Sequence, residues 1–186
     1  MKTFIDSNFC SVDFTLGSLV LIAKKDNSEF SVIKEKYKNS ENFINVLIDF
    51  FNNHNIEIES LNFFMLNLGP GGFVGLRNIL SSLKSISLVK KIKILGFNNF
   101  QILKTLVDSR KYDFVSIELN NKFYTKKITE CDNFGSRSFL QSYSDVNVAK
   151  IAKFSKLPKY TSKNLMYILD NRLFIDSKLF PIYENK

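Results

Sequence analysis

The chain has 186 residues, of which 45% are hydrophobic and 24% charged, values that fit a soluble protein with one domain, or one domain and a reduced second one. No run of about 18 apolar residues occurs, and the N-terminus lacks the apolar region of a signal peptide, so we expect neither a membrane helix nor secretion. The net charge of +8 comes mainly from scattered lysines, whereas a dedicated nucleic-acid surface concentrates its basic residues on one face.

The beginning of the chain predicts a β-meander. Apolar residues recur near period two in short segments, which predicts strands at Lys2–Ile5, Phe9–Thr15, Ser18–Ala23 and about Phe30–Lys34. The first of these segments is followed by Asp6, so a carboxylate lies in the first predicted turn.

The hydrophobic period becomes helical after residue 39, where Asn39 or Ser40 can cap a helix. The apolar surface of this helix is wider than the ~100° stripe of a one-sided surface helix. Either the helix is buried on most of its circumference, or one flank contacts a partner. The residues at helical spacing are Phe43, Leu47, Phe50 and Phe51.

A glycine-rich stretch, Asn67–Arg77, connects a predicted buried strand, Leu61–Leu66, to a predicted helix over about Leu76–Lys90. It holds four of the chain's seven glycines, which indicates a tight turn or a close backbone approach. One interpretation is a turn that only shapes the fold. The other is that unpaired N–H groups at the helix start bind an anion or a partner.

Three serines and one arginine of this helix allow two interpretations each. Ser81, Ser82 and Ser85 form a small-residue surface that permits close helix–helix approach, or a face that is merely solvated. Arg77 holds the loop or a partner through a salt bridge or hydrogen bond, or is a solvated surface residue.

The second half of the chain predicts a further mixture of strands and helices. A polar, loop-like region covers Asp132–Asp145, and the preceding hairpin turns at Asn120-Asn121. The predicted elements are strands at Lys93–Gly96, Asp113–Glu118 and Lys122–Ile128, helices at Asn99–Val107 and Ser162–Leu169, and an extended segment at Leu179–Tyr183.

The glycine-rich stretch resembles the GPGSFTGLR signature of the bacterial TsaB (YeaZ) family. Further matches in order and spacing are the Ile5-Asp6-Ser7 opening followed by Cys10-Ser11-Val12, the pair Ser40-Glu41 before the first helix, and the strand residues Glu118 and Tyr124. The closing P-x-Y corresponds to Pro181 and Tyr183. The signature itself is formed by Gly69, Pro70, Gly71, Gly72, Phe73, Val74, Gly75, Leu76 and Arg77.

The sequence also departs from the family pattern. Gly72 and Val74 replace the serine and threonine of the signature, which removes two hydroxyl groups, and Asn39 replaces a histidine. The C-terminal part is shorter than is usual in the family.

The resemblance implies an α/β chain with the ASKHA (actin-like ATPase, RNase H-like) fold and two subdomains, the second reduced. Residues 1–98 would form the N-terminal subdomain with the partner-binding helices, and residues 99–186 the smaller C-terminal subdomain. The partner or dimer interface would contain Phe43, Leu47, Phe50, Phe51, Ser81, Ser82 and Ser85.

The resemblance further implies a non-catalytic, cytoplasmic accessory subunit that binds and activates a TsaD-type subunit. The complex transfers threonylcarbamoyl to the tRNA adenosine next to the anticodon, the t6A modification. A TsaE-type ATPase joins the complex, a homodimer is possible, and tRNA is contacted indirectly. ATP and metal are expected on the TsaD-type partner, with no cofactor on this chain alone.

Two other function classes remain as alternatives: a divergent ASKHA nucleotide-dependent kinase or acyltransferase, and a self-sufficient tRNA-binding module. A kinase-like turn needs glycine after the first strand, and Asp6-Ser7-Asn8-Phe9 has none. The chain has one histidine, His54, which we expect on the surface, so the usual zinc site cannot be assembled. Cys10 and Cys131 lie far apart without metal spacing and are expected as reduced thiols. No catalytic constellation is predicted.

Overall fold

A computed structural model describes residues 4–37, 39–119, 122–134, 150–156 and 158–182 of the chain. They form two compact units. The first unit holds the residues up to Phe97 together with those from Phe174 onward, and the second spans Asn98–Leu173. The final segment therefore belongs to the first unit, whereas the sequence analysis assigned all of residues 99–186 to the second subdomain.

The first unit is built on a five-stranded mixed sheet. Its strands lie in the order β3-β2-β1-β4-β5, with β1, β2 and β3 antiparallel and β1, β4 and β5 mutually parallel. Every residue of β1 and β4 is buried, as expected of central strands covered on both faces. The strands are β1 (Phe9–Asp13), β2 (Leu19–Lys25), β3 (Ser28–Lys34), β4 (Phe63–Asn67) and β5 (Lys93–Phe97).

The meander has three strands in the described residues instead of the predicted four. Residues 4–6 form a bend and a turn, and the residues before them lie outside the described chain. The Phe4 ring packs edge-on against Phe63 and Phe174 instead of taking part in a ladder. The predicted strand Lys2–Ile5 is thus wrong for its described part, and β1 is the first strand of the described chain.

Two helices, α1 (Phe43–Asn53) and α2 (Phe73–Lys90), follow β3 and β4, and a 3₁₀ turn over Ser40–Asn42 precedes α1. Both connect parallel strands, β3 to β4 and β4 to β5, and both crossovers run in the same direction across the sheet. Because such crossovers are right-handed, both helices lie on the same face of the sheet.

The second unit contains a three-stranded sheet in the order β7-β6-β8 and two helices. Strand β6 pairs antiparallel with β7 and parallel with β8. The predicted hairpin is confirmed by the pairing of Leu119 with Lys122, although its turn residues lie outside the described chain. The elements are β6 (Phe114–Leu119), β7 (Lys122–Lys127), β8 (Ile151–Phe154), α3 (Asn99–Leu106) and α4 (Ser162–Asp170). Within the described residues, no helix is long and apolar enough to cross a membrane.

Candidate functional site: the glycine-rich loop and helix α2

The glycine-rich loop runs from the end of β4 at Asn67 to the start of α2. The helix begins at Phe73, three residues before the predicted start, and Gly72 is its N-cap. The Leu76 N–H donates to the Gly72 carbonyl at 3.2 Å, which closes the first turn. Most of the TsaB-like signature is therefore already helix, and only its first four residues form the loop.

A buried carboxylate holds the loop from the neighbouring strand. Asp13, the last residue of β1, is 2% exposed, and its Oδ2 accepts a hydrogen bond from Asn67 Nδ2 at 2.8 Å. Its Oδ1 accepts from the backbone N–H of Thr15 at 2.9 Å and from the Thr15 hydroxyl at 2.8 Å. Asn67 Oδ1 in turn accepts from the Gly69 N–H at 3.1 Å. Asp13 and Asn67 thus tie the turn after β1 to the loop after β4.

The loop glycines are required by close approach to this turn and to the C-terminal segment. A Cβ on Gly71 would lie 2.7 Å from the Thr15 carbonyl oxygen, and one on Gly75 would lie 1.9 Å from the Phe14 ring. Gly69 has a φ of +112°, and a Cβ there would lie 2.6 Å from the Ile182 carbonyl oxygen. These contacts favour the interpretation of the loop as a shaped structural turn.

Gly72 differs from its neighbours. A Cβ added to it meets nothing within 4 Å, and the residue is exposed. The residue that replaces the family serine is thus not required to be glycine by any contact among the described residues.

The turn after the first strand is not the one that the sequence analysis tested for phosphate binding. It runs from Asp13 to Gly17, and Gly17 has a φ of +75°, so this turn does contain a glycine. Asp6 lies exposed in an earlier turn, and Cys10 belongs to β1, not to a second strand. The lack of glycine in Asp6-Ser7-Asn8-Phe9 therefore says nothing about the turn that follows β1. The Thr15 N–H that such a turn would offer to a phosphate is bonded to Asp13.

The four apolar residues that were predicted to contact a partner from α1 instead fill the core of the first unit. Phe43, Leu47, Phe50 and Phe51 are between 0% and 6% exposed. Five of the eleven residues of α1 are buried, so the helix buries one face and not most of its circumference. Ile48 is the large hydrophobic residue that α1 exposes, at 49%.

The serines of α2 do lie at the surface. Ser81 and Ser85 are exposed, Ser82 is half-buried, and the Ser85 hydroxyl donates to the Ser81 carbonyl at 3.1 Å. Val74 and Leu88 flank them on the same side of the helix, 67% and 82% exposed. We call the surface formed by Val74, Ser81, Ser85 and Leu88 the α2 face. Val89, next to it, is 76% exposed.

Contacts from the middle of α2 hold it in the first unit. Asn78 Nδ2 donates to the hydroxyl of Ser40 at 3.0 Å, which joins α2 to the 3₁₀ turn before α1. Lys84 donates to the Leu179 carbonyl at 3.4 Å. The Lys84 ammonium also lies 6.0 Å from the centre of the Phe180 ring, so the C-terminal segment runs along this helix.

The remaining family-matching residues are divided between the two units. Glu41 and Arg77 are exposed, and Pro181 is half-buried in the C-terminal segment. Glu118 and Tyr124 lie in the second unit, in β6 and β7. Tyr183 lies outside the described residues.

His54 and the two cysteines show no arrangement for catalysis. His54 is half-buried, its ring 4.8 Å from that of Phe30 and 5.0 Å from that of Phe50, so the predicted surface histidine is only partly exposed. Burial raises the pKa of the Cys10 thiol, and it raises that of Cys131 to about 12. Among the described residues, no three acidic, histidine or cysteine side chains cluster as metal ligands would.

Two solved structures share the fold of the chain. YeaZ from Pseudomonas aeruginosa superposes with a TM-score of 0.65 at 10% sequence identity, covering 96% of this chain and 100% of that chain. A structure described as an uncharacterized protein with similarity to peptidase YeaZ, from the same organism, superposes with a TM-score of 0.67 at 10% identity and with the same coverage. No protein-family model and no curated protein matches the sequence.

These similarities confirm the ASKHA, RNase H-like fold and the resemblance to YeaZ at the level of structure. Because both solved chains are covered completely, the predicted C-terminal shortening is not seen against them.

Proposed function

We propose that this chain is a TsaB-type accessory subunit that binds a TsaD-type partner and supports threonylcarbamoyl transfer to tRNA. The observation that carries the proposal is the position of the signature, Gly69–Arg77. In a chain with the fold of YeaZ, it forms the connection from a central strand to α2, and two of its glycines, Gly71 and Gly75, are fitted to the turn after β1.

The role of the loop is to fix the direction in which α2 leaves the sheet. Asp13 and Asn67 hold its beginning, and Gly71 and Gly75 pack without a side chain against residues 14–15. The α2 face is then presented by a rigid connection, which lowers the entropy that is lost when a partner binds. ATP and metal are expected on the TsaD-type subunit, so the contribution of this chain is the surface.

The composition of the α2 face suits a helix of a partner. Ser81 and Ser85 are small, which lets a second helix approach closely, and Val74 and Leu88 supply exposed apolar surface at either end. Val89, next to Leu88, is also exposed, so the end of α2 presents two adjacent apolar side chains to solvent. The same face would serve a second copy of the chain in a homodimer.

The test is co-purification with a TsaD-type subunit. We expect Ser85→Glu and Leu88→Glu to abolish it, because a buried unpaired charge at the centre of an interface costs at least about 2 kcal/mol, roughly a 30-fold loss of affinity. The matched control is Ile33→Glu, since Ile33 is 40% exposed on the edge strand β3 of the same unit. Unchanged co-purification by both α2 variants, with circular dichroism as in the parent chain, would refute the interface.

Two further measurements separate the alternatives. Calorimetric titration of the isolated chain with ATP and magnesium should show no binding tighter than that of adenosine monophosphate, and tighter binding that requires magnesium would favour a nucleotide-dependent enzyme. Titration with tRNA alone should show no salt-sensitive complex, since tRNA is expected to be contacted through the partner and with a TsaE-type ATPase present.

A further inference from the structure

The second unit contains a pocket that the proposed partner surface does not use. Its volume is about 430 Å³, within the range of small-ligand sites. It lies between the end of α3 and the beginning of α4 and is open to solvent. The polar residues lining it are Lys104, Thr105, Ser109, Lys163, Asn164 and Tyr167. None of the described residues lining it is acidic, so the wall has a positive charge.

The two lysines have different environments. Lys104 forms an ion pair with Asp132, a residue that does not line the pocket, and this contact orients the Lys104 side chain. Burial lowers the pKa of Lys104, but the hydrogen bond and charge of Asp132 outweigh it, so that the pKa is raised. Lys163 is exposed and makes no ion pair within the described part of the chain. Lys163 is therefore the cation that remains available to an incoming anion.

The wall between the lysines is held in place by side-chain hydrogen bonds. Asn164 Nδ2 donates to the Thr105 hydroxyl at 3.0 Å, and that hydroxyl donates to the Ile102 carbonyl at 2.6 Å. Asn164 Oδ1 accepts from the Thr161 N–H at 2.9 Å, which caps α4. A wall with these bonds is formed before any ligand arrives, and preorganisation favours binding.

The apolar part of the pocket suits a planar group. Val107 and Ile128 line it together with Tyr167, a residue that is 38% exposed. An exposed tyrosine face next to apolar side chains is a surface on which an aromatic ring stacks. The pocket thus places positive charge and a stacking surface side by side.

We propose that this pocket binds a small phosphate monoester that carries a planar ring, of the class of the nucleoside monophosphates. Lys163 donates to the phosphate, and Tyr167 stacks on the ring. A charge-assisted hydrogen bond from an ammonium to a phosphate is stronger than a neutral one. The site lies within the second unit and does not depend on the α2 face.

The test uses the full chain with adenosine monophosphate and inorganic phosphate as probes, followed by isothermal calorimetry and amide chemical shifts. We expect saturable binding of adenosine monophosphate, with shifts at α4 and the end of α3. Lys163→Gln should weaken both probes about tenfold, the effect of one lost charge-assisted bond. Tyr167→Leu should weaken adenosine monophosphate about tenfold but leave inorganic phosphate unchanged, since only the ring stacks.

The control is Lys150→Gln, an exposed lysine of the same unit that does not line the pocket. An equal loss in the Lys150 and Lys163 variants would show non-specific charge attraction and overturn the proposal. So would the absence of saturable binding, or tighter binding of a short RNA than of the monophosphate. Co-purification with the TsaD-type subunit should be unchanged in Lys163→Gln, so failure of the pocket and failure of the α2 face are distinguishable.

Discussion

The pair Asp13 and Asn67 allows a swap that separates hydrogen bonding from every other effect of mutation. In Asp13→Asn, the NH₂ groups of residues 13 and 67 face each other across the two strand ends. In Asn67→Asp, the carboxylates of these two residues face each other. The double variant Asp13→Asn/Asn67→Asp restores a donor opposite an acceptor, and the described bonds from Thr15 to residue 13 and from Gly69 to residue 67 also persist.

The magnitudes follow from burial. Asp13 is 2% exposed and Asn67 is 0% exposed, so neither variant side chain gains a water partner without displacing the loop. The Asp13 variant loses one charge-assisted bond and leaves buried donors unpaired, which costs about 3 kcal/mol. The Asn67 variant places two buried carboxyl groups together and costs about 3–5 kcal/mol. The double variant should return to within about 1 kcal/mol of the parent chain, because its bonding is equivalent.

Urea unfolding followed by circular dichroism measures these changes, and hydrogen exchange of β1 and β4 amides assigns them to the first unit. The chain has no tryptophan, so fluorescence would report on scattered tyrosines only. A double variant no more stable than the worse single variant would refute the idea that this hydrogen bond joins the two strand ends. The two single variants should also lose co-purification with the partner, and the double variant should regain it, in parallel with their stability.

Three other predictions concern residues whose surroundings are equally well defined. In thermal unfolding, Gly72→Ser should stabilise the chain by about 0.5 kcal/mol, and Gly71→Ser should destabilise it by more than that. The reason is that, of these two positions, only at Gly71 would a Cβ meet backbone atoms. Equal effects of the two variants would contradict this. Cys10 and Cys131 should react with a thiol reagent at pH 8 only after unfolding, since burial raises the pKa of both thiols. Rapid labelling of the native chain would be inconsistent with their burial. Lys126→Met should leave the free energy of unfolding within about 1 kcal/mol of the parent chain or raise it. Burial has the largest effect on Lys126, and it lowers the pKa of this residue and disfavours its charge. A loss above about 3 kcal/mol in urea unfolding would show that the polar contacts of Lys126 dominate.

The structure of the signature loop could be predicted in part from its motif and from the hydrophobic period around it. The change from an apolar run to glycines and then to a helical pattern predicts the strand–loop–helix unit, and β4 and α2 confirm it. The helix nevertheless starts at Phe73 and not at Leu76, because Gly72 takes an extended conformation and caps it. An N-cap is usually recognised by a polar side chain, which Gly72 does not have.

The first strand shows where local pattern fails. Lys2–Ile5 and Phe9–Thr15 both have strand-like composition, and no local signal distinguishes which is the central strand. The parallel pairing of β1 with β4 decides it, and this pairing depends on residues far apart in sequence. A signal was present in the sequence: Asp13 is a polar residue at the end of an alternating strand, and Gly17 follows four residues later.

Composition and periodicity by themselves determined the α/β class, the three-stranded part of the meander, the helices and the place of the signature loop. Local spacing carries this information because each element is a short-range arrangement of the backbone. Tertiary structure alone decided that Phe43, Leu47, Phe50 and Phe51 face the core. It also decided that Asp13 meets Asn67, 54 residues away. A helical pattern shows which residues share a face but not what covers that face, and a buried carboxylate acquires its partner only when two parallel strands end side by side.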